Sequence, residues 1–210
     1  MPSQASNPFS TSFVRPGALP FRYPAGMTRD QLLTRFETNG FRGQIVGPHG
    51  VGKSSLVADL LPDWTTIFQE IGHITIRGGK QFQSELETRW LGDTKQSDGT
   101  KQRSKLIIVD GLERWSIMNR QLLIQSANQK EFGLLATVHM PIRGLPLLCR
   151  LEPRLDIFEQ IVTDLCADVT AFKQDELKDV FEKADGNFRE GLMLLYDQYE
   201  ATRNLGVKSS

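Results

Sequence analysis

Apolar positions fall into two rhythms along the chain, short continuous runs and stripes at helical spacing. Leu106-Ile107-Ile108-Val109 is apolar throughout and ends in Asp110; Leu134-Leu135-Ala136-Thr137-Val138 is nearly so and ends at His139. Runs of this kind come from strands buried on both faces of a parallel sheet. A shorter segment, Gln44-Ile45-Val46, predicts a strand over 43–46, and 65–68, 73–76 and 169–172 are short β-favouring stretches. Between them the period changes. Thr28 and Gln31 form a capping box ahead of Leu32, Leu33 and Phe36, and Asn39-Gly40 closes that helix. Residues 83–91 and 115–131 are helix-compatible, and Phe158, Ile161, Val162 and Leu165 share one helical face. The tail predicts two more helices. Leu177, Val180, Phe181 and Ala184 line the first, Gly186 stops it, and Asn187 with Glu190 caps a second that carries Phe188, Leu192, Leu195 and Tyr199. Strands alternating with helices specify an α/β fold with a mainly parallel sheet.

Polar and breaker residues divide this pattern. Residues 1–27 hold Pro2, Pro8, Pro16, Pro20 and Pro24 with Phe9, Phe13, Leu19, Phe21 and Tyr23, which predicts an extended arm lying on the body. A main α/β domain over 28–172 and a small helical region over 173–210 follow. Residues 92–105 contain no apolar side chain, as expected of a solvated loop or of an insertion contacting a partner, and the stretch 141–153 is rich in proline and glycine. The 25 basic residues balance the 25 acidic ones, so no global field points to nucleic acid, although it leaves such a partner open. Cys149 and Cys166 are too few for a disulfide framework and lack metal-ligand spacing. With no secretory pattern at the start and no apolar stretch near the ~18 residues of a membrane span, a cytoplasmic location is expected.

One motif adds chemistry. Gly47-Pro48-His49-Gly50-Val51-Gly52-Lys53-Ser54 fits G-x-x-x-x-G-K-[ST], between the 43–46 strand and the helix-compatible Ser55-Leu56-Val57-Ala58-Asp59-Leu60-Leu61. Glycines let such a loop wrap closely, so that its backbone N–H groups and the positive end of the next helix meet phosphate oxygens. Residues 47–55 are therefore the candidate cradle, with Lys53 on the β/γ-phosphates and the Ser54 hydroxyl on Mg²⁺. Phosphoryl transfer also needs a carboxylate to position the metal, and Asp110 stands where a buried strand would present one. Gly111 follows it, and the first glutamate is Glu113. If the chain turns at Gly111, Glu113 reaches the γ-phosphate and activates water; otherwise it opens the following helix, where a carboxylate suits the dipole.

These motifs resemble the P-loop NTPase superfamily and, within it, the additional-strand ATPases that include AAA+ proteins, over about 28–200. The resemblance implies a three-layer P-loop fold, ATP and Mg²⁺ as ligands, and ATP hydrolysis coupled to a protein partner or to self-association. It implies a γ-phosphate sensor at Thr137 or His139, and Arg189 as the arginine that a helical lid brings to the same phosphate. It further makes Arg143, Arg150 and Arg154 candidates for an arginine offered to a neighbouring subunit, and Phe9 or Phe13 candidates for a wall beside the base. Only two lid helices fit before residue 210. No Asn-Lys-x-Asp segment supports guanine recognition, and Arg77-Gly78-Gly79-Lys80-Gln81 is a poor likeness of an ABC signature. Two alternatives to an ATPase stay open: a nucleotide-dependent switch with little or no turnover, and a small-molecule kinase.

Overall fold

The computed structural model describes residues 7–15, 17–76, 103–166 and 172–207. They form an α/β fold in which five parallel strands are flanked by helices. The chain divides into two compact units, one of Met1–Pro24, Pro48–Asp59 and Glu152–Ser210, the other of Ala25–Gly47 and Leu60–Leu151.

The second unit holds the whole sheet: β1 (Arg42–Val46), β2 (Phe68–Thr75), β3 (Arg103–Asp110), β4 (Gly133–Val138) and β5 (Leu147–Arg150). Their order is β2-β3-β4-β1-β5, with every neighbouring pair parallel. Central position explains composition. All six residues of β4 are buried, and Leu106, Ile107, Ile108 and Val109 of β3 are at most 1% exposed. Side chains alternate between faces along each strand. Ile107, Val109, Leu134, Ala136 and Val138 join Leu123, Ile124 and Ala127 of α4 (Ile117–Gln129) in one core cluster. An aromatic group forms elsewhere in the same unit. Phe36 of α2 (Arg29–Thr38) lies 5.7 Å from Phe41 and 5.4 Å from Trp64, and Phe41 lies 5.2 Å from Phe68.

Several expectations hold and others need correction. Helix α2 has the full Thr28–Gln31 capping box, and Ser116 caps α4 by accepting from the Asn119 N–H at 3.2 Å. Of the expected strand at 65–68, Phe68 alone is in a strand, and residues 65–67 are instead the end of α3 (Lys53–Ile67), with Pro62 inside the helix. There Trp64 is 1% exposed, and its packing on Phe36 outweighs the β preference of Thr65, Thr66 and Ile67. Strand β2 runs unbroken from Phe68 to Thr75, so the expected strand at 73–76 is only its last three residues, without Ile76. Its exposed Gln69, Glu70, His73 and Thr75 suit an edge strand and hid its length. Residues 103–105, expected in the polar loop, belong to β3, where Lys105 is 6% exposed. Burial lowers the Lys105 pKa, with Glu70 opposing and Lys130 reinforcing the shift.

The helix expected over 115–131 is α4, slightly shorter at both ends, with a 3₁₀ turn at Leu112–Arg114 before it. Strand β5 lies in the stretch expected to be loop. It is short and at the sheet edge, and Pro146, just before it, accepts from the Gln44 N–H at 2.9 Å. The expected helix at 83–91, the Arg77–Gln81 likeness and most of 92–105 and 169–172 lie outside the described residues.

In the first unit, the arm is not wholly extended, because Thr11–Val14 forms one helical turn, α1. Helices α5 (Leu155–Leu165), α6 (Gln174–Lys183) and α7 (Phe188–Val207) match the three predicted C-terminal helices. Phe158, Phe181 and Phe188 bind them together, with ring centroids 5.7, 6.0 and 6.2 Å apart pairwise. The arm docks on this unit. Asn7 donates to the Tyr196 carbonyl and to Glu200, and Phe9 packs edge-on to Phe172 and Tyr199. Among the described residues, no helix is long and apolar enough to cross a membrane.

Candidate functional site

Parallel register brings one group of candidates to the carboxyl edge of the sheet. Asp110 is level with Thr137, and Val46 with Val138. The Thr137 hydroxyl donates to Asp110 Oδ1 in a very close contact, which orients the carboxylate and leaves Oδ2 outside that bond. Gly47, the first residue of the motif, stands on the same edge and donates its N–H to the Val138 carbonyl at 3.0 Å.

Beyond β3 the chain turns sharply. Gly111 has φ 77°, in the left-handed region open to glycine, while its N–H holds the Thr137 carbonyl at 2.9 Å. The 3₁₀ turn that follows carries Glu113 back along the edge. His139 Nδ1 lies 2.7 Å from Glu113 Oε1, with the two side chains only 27% and 18% exposed. Both carboxylate oxygens of Glu113 are buried and lack an aligned hydrogen bond, so the approach to His139 is one of distance more than of direction. Asp110, Glu113, Thr137 and His139 are thus assembled within one unit. A carboxylate held beside an imidazole can accept a proton from water or be kept in place by the ring.

The remaining motif residues belong to the other unit. Pro48 and His49 are exposed, Val51 is 3% exposed, and Gly50 and Gly52 have φ of 71° and 96°. Helix α3 opens at Lys53, and the Leu56 N–H closes on the Gly52 carbonyl at 2.9 Å. Lys53 is 9% exposed and turns its ammonium back to the Pro48 carbonyl, 2.7 Å away. The loop therefore curls around its own lysine. Ser54 is exposed and Ser55 half-buried.

Two further elements of that unit touch the loop. A Cβ on Gly50 would collide with Asn187 Oδ1, so the side chain capping α7 rests against the loop backbone. Arg189 is two residues further, exposed in the first turn of α7. A Cβ on Gly52 would meet the Phe21 ring at 3.5 Å. Phe21 and Asn187 are the neighbours that sequence reasoning left out of the site. The cap at Asn187 was legible, but nothing in the spacing told which loop it would face. As to the proposed base wall, Phe9 is committed to Phe172 and Tyr199, and Phe13 is 43% exposed.

The three outer arginines stand on different segments. Arg143 and Arg150 are exposed, on the 139–146 loop and at the end of β5. Arg154 pairs with Asp156 at 2.7 Å; the bond raises the arginine's pKa and lowers that of the carboxyl. A scan of the chain against protein-family models finds no match, and a search of curated proteins finds none either.

Proposed function

We propose that this chain binds ATP with Mg²⁺ at the 47–55 loop and hydrolyses it, as an additional-strand ATPase resembling AAA+ proteins with α6 and α7 in a helical lid. The observation that carries the proposal is the loop itself: two left-handed glycines, a helix opening at Lys53, and the lysine folded back onto the Pro48 carbonyl. Strand order supports the class, since β4 lies between β1, which leads into the loop, and β3, which ends in Asp110.

The donor set suits the ligands. Loop amides offer hydrogen bonds to phosphate oxygens, and Lys53 exchanges its carbonyl for a charged partner. The Ser54 hydroxyl and the Asp110 carboxylate are hard oxygen ligands of the kind Mg²⁺ takes, one or two at a time, while keeping its waters. When bound, the ion neutralises charge on the β- and γ-phosphate oxygens. Thr137 keeps Asp110 oriented. Glu113 accepts a hydrogen bond from the attacking water and draws its proton, and His139 holds that carboxylate at the sheet edge. Arg189 supplies positive charge to the transferring phosphoryl group. A hydroxyl acceptor in place of water would make the same site a kinase, and arrest of Glu113 on His139 would make it a switch.

Steady-state hydrolysis tests the assignment. Glu113→Gln should keep ATP affinity and lower turnover by about a hundredfold or more, the usual size of a general-base effect. Chelating Mg²⁺ with EDTA should abolish turnover in the wild type. Tight binding without turnover would instead select the switch.

A further inference from the structure

Asn187 has two roles at once. Its Oδ1 accepts from the Glu190 N–H at 3.2 Å, which caps α7, and the same oxygen is the atom a Cβ on Gly50 would strike. Any ordinary capping side chain would satisfy the helix. The contact with Gly50 goes beyond capping.

The backbone of Asn187 is also anchored from behind. The Asn187 N–H bonds to the Ala184 carbonyl at 2.9 Å, its own carbonyl receives the Gly191 N–H at 2.9 Å, and Phe188 stacks on Phe158 at 6.0 Å. Asn187 therefore cannot move without moving the start of α7. Further along the same helix, Tyr196 and Glu200 receive the hydrogen bonds of Asn7.

We propose that Asn187 is a positioning residue for the phosphate-binding loop, holding Gly50 in place so that nucleotide occupancy of the loop and the docking of α7 are coupled. The proposal rests on the nucleotide assignment above. A phosphate drawn onto the loop amides fixes Gly50, and Gly50 in turn fixes Asn187 and the first turn of α7. By linkage, a loop that has lost this support binds nucleotide more weakly.

Asn187→Ser separates the two roles, because serine caps as well as asparagine but is one group shorter. In the full chain, binding of ATP with Mg²⁺ is measured by calorimetry alongside thermal melting. Hydrogen exchange at amides 188–192 is followed with and without the nucleotide. Asn187→Ser should melt close to the wild type yet bind ATP about tenfold more weakly, within the usual range of coupling between sites. In the wild type, ATP should slow exchange at 188–192, and in the variant this protection should shrink. If the variant does not fold, exchange in the wild type still decides the matter: equal exchange with and without ATP overturns the coupling. So does an Asn187→Ser protein that binds ATP as the wild type does. These outcomes differ from failure of the nucleotide assignment, which would appear as wild-type protein that binds no ATP or as binding indifferent to Lys53→Ala, and which would remove this proposal as well.

Discussion

Gln44 shows how a single polar residue can shape the surroundings of a site. It is 3% exposed on β1, donates to the carbonyls of Ile142 and Leu145 at 2.9 and 2.6 Å, and accepts from the Ile142 N–H at 2.7 Å. It thereby fastens the segment that follows His139 to the sheet. Gln44→Leu should cost about 3 kcal/mol in denaturant unfolding, because three buried backbone contacts lose their partner at once. Cys149 gives a test in pH. Burial pushes its thiol up to about 12, against the opposing pull of Arg35. The unfolded chain releases this proton near 9 while the folded chain keeps it, so the contribution to stability is full below pH 9 and is lost as pH rises toward 12. Cys149→Ala should remove that part of the alkaline loss, and a thiol reagent at pH 8 should label Cys149 only on unfolding. Sequence showed both residues without their settings, since burial of a lone Gln or Cys depends on distant partners. At Gly111 the sequence left two readings, a turn or a plain helix start, and its left-handed φ with Glu113 beside His139 is the turn.

Elements were most legible where local and long-range forces agree. Strands β3 and β4 announce themselves because two-sided burial leaves no place for polar residues. The cap at Thr28 and the stop at Gly186 lie in local chemistry and were equally plain. The end of α3 and the two edge strands were not. Thr65-Thr66-Ile67 favours a strand on its own, and the packing of Trp64 on Phe36 favours the helix. Strand β5 is four residues between breakers, too short for a period to appear. The arm belongs to this scale as well. Phe9 is 3% exposed and fixed between Phe172 and Tyr199, which matches docking on the body better than stacking on a base. Phe9→Ala should lower stability by roughly 3 kcal/mol, as for a buried aromatic removed from a core. Limited proteolysis should then cut the arm sooner, while ATP affinity stays within twofold of the wild type.

For the molecule as a whole, class and parallel sheet were legible because an alternation of strands and helices leaves few other arrangements. Strand order was not, since nothing in β4 itself says that it lies between β1 and β3. That order puts Asp110, Thr137, Glu113 and His139 on one edge with Gly47, while the rest of the loop keeps company with Asn187 and Phe21 in the other unit. Candidate residues that lie far apart in the chain are thus gathered into two groups, one within each unit. The central claim is that the loop binds the phosphates of ATP through Lys53. Equilibrium binding of ATP with Mg²⁺ to the wild type and to Lys53→Ala tests it most directly, with melting curves to confirm that both are folded. Saturable binding that weakens about a hundredfold or more in the variant is expected, the loss of a charge-assisted contact to phosphate. Equal affinity in the two folded proteins, or no binding in the wild type, would contradict it.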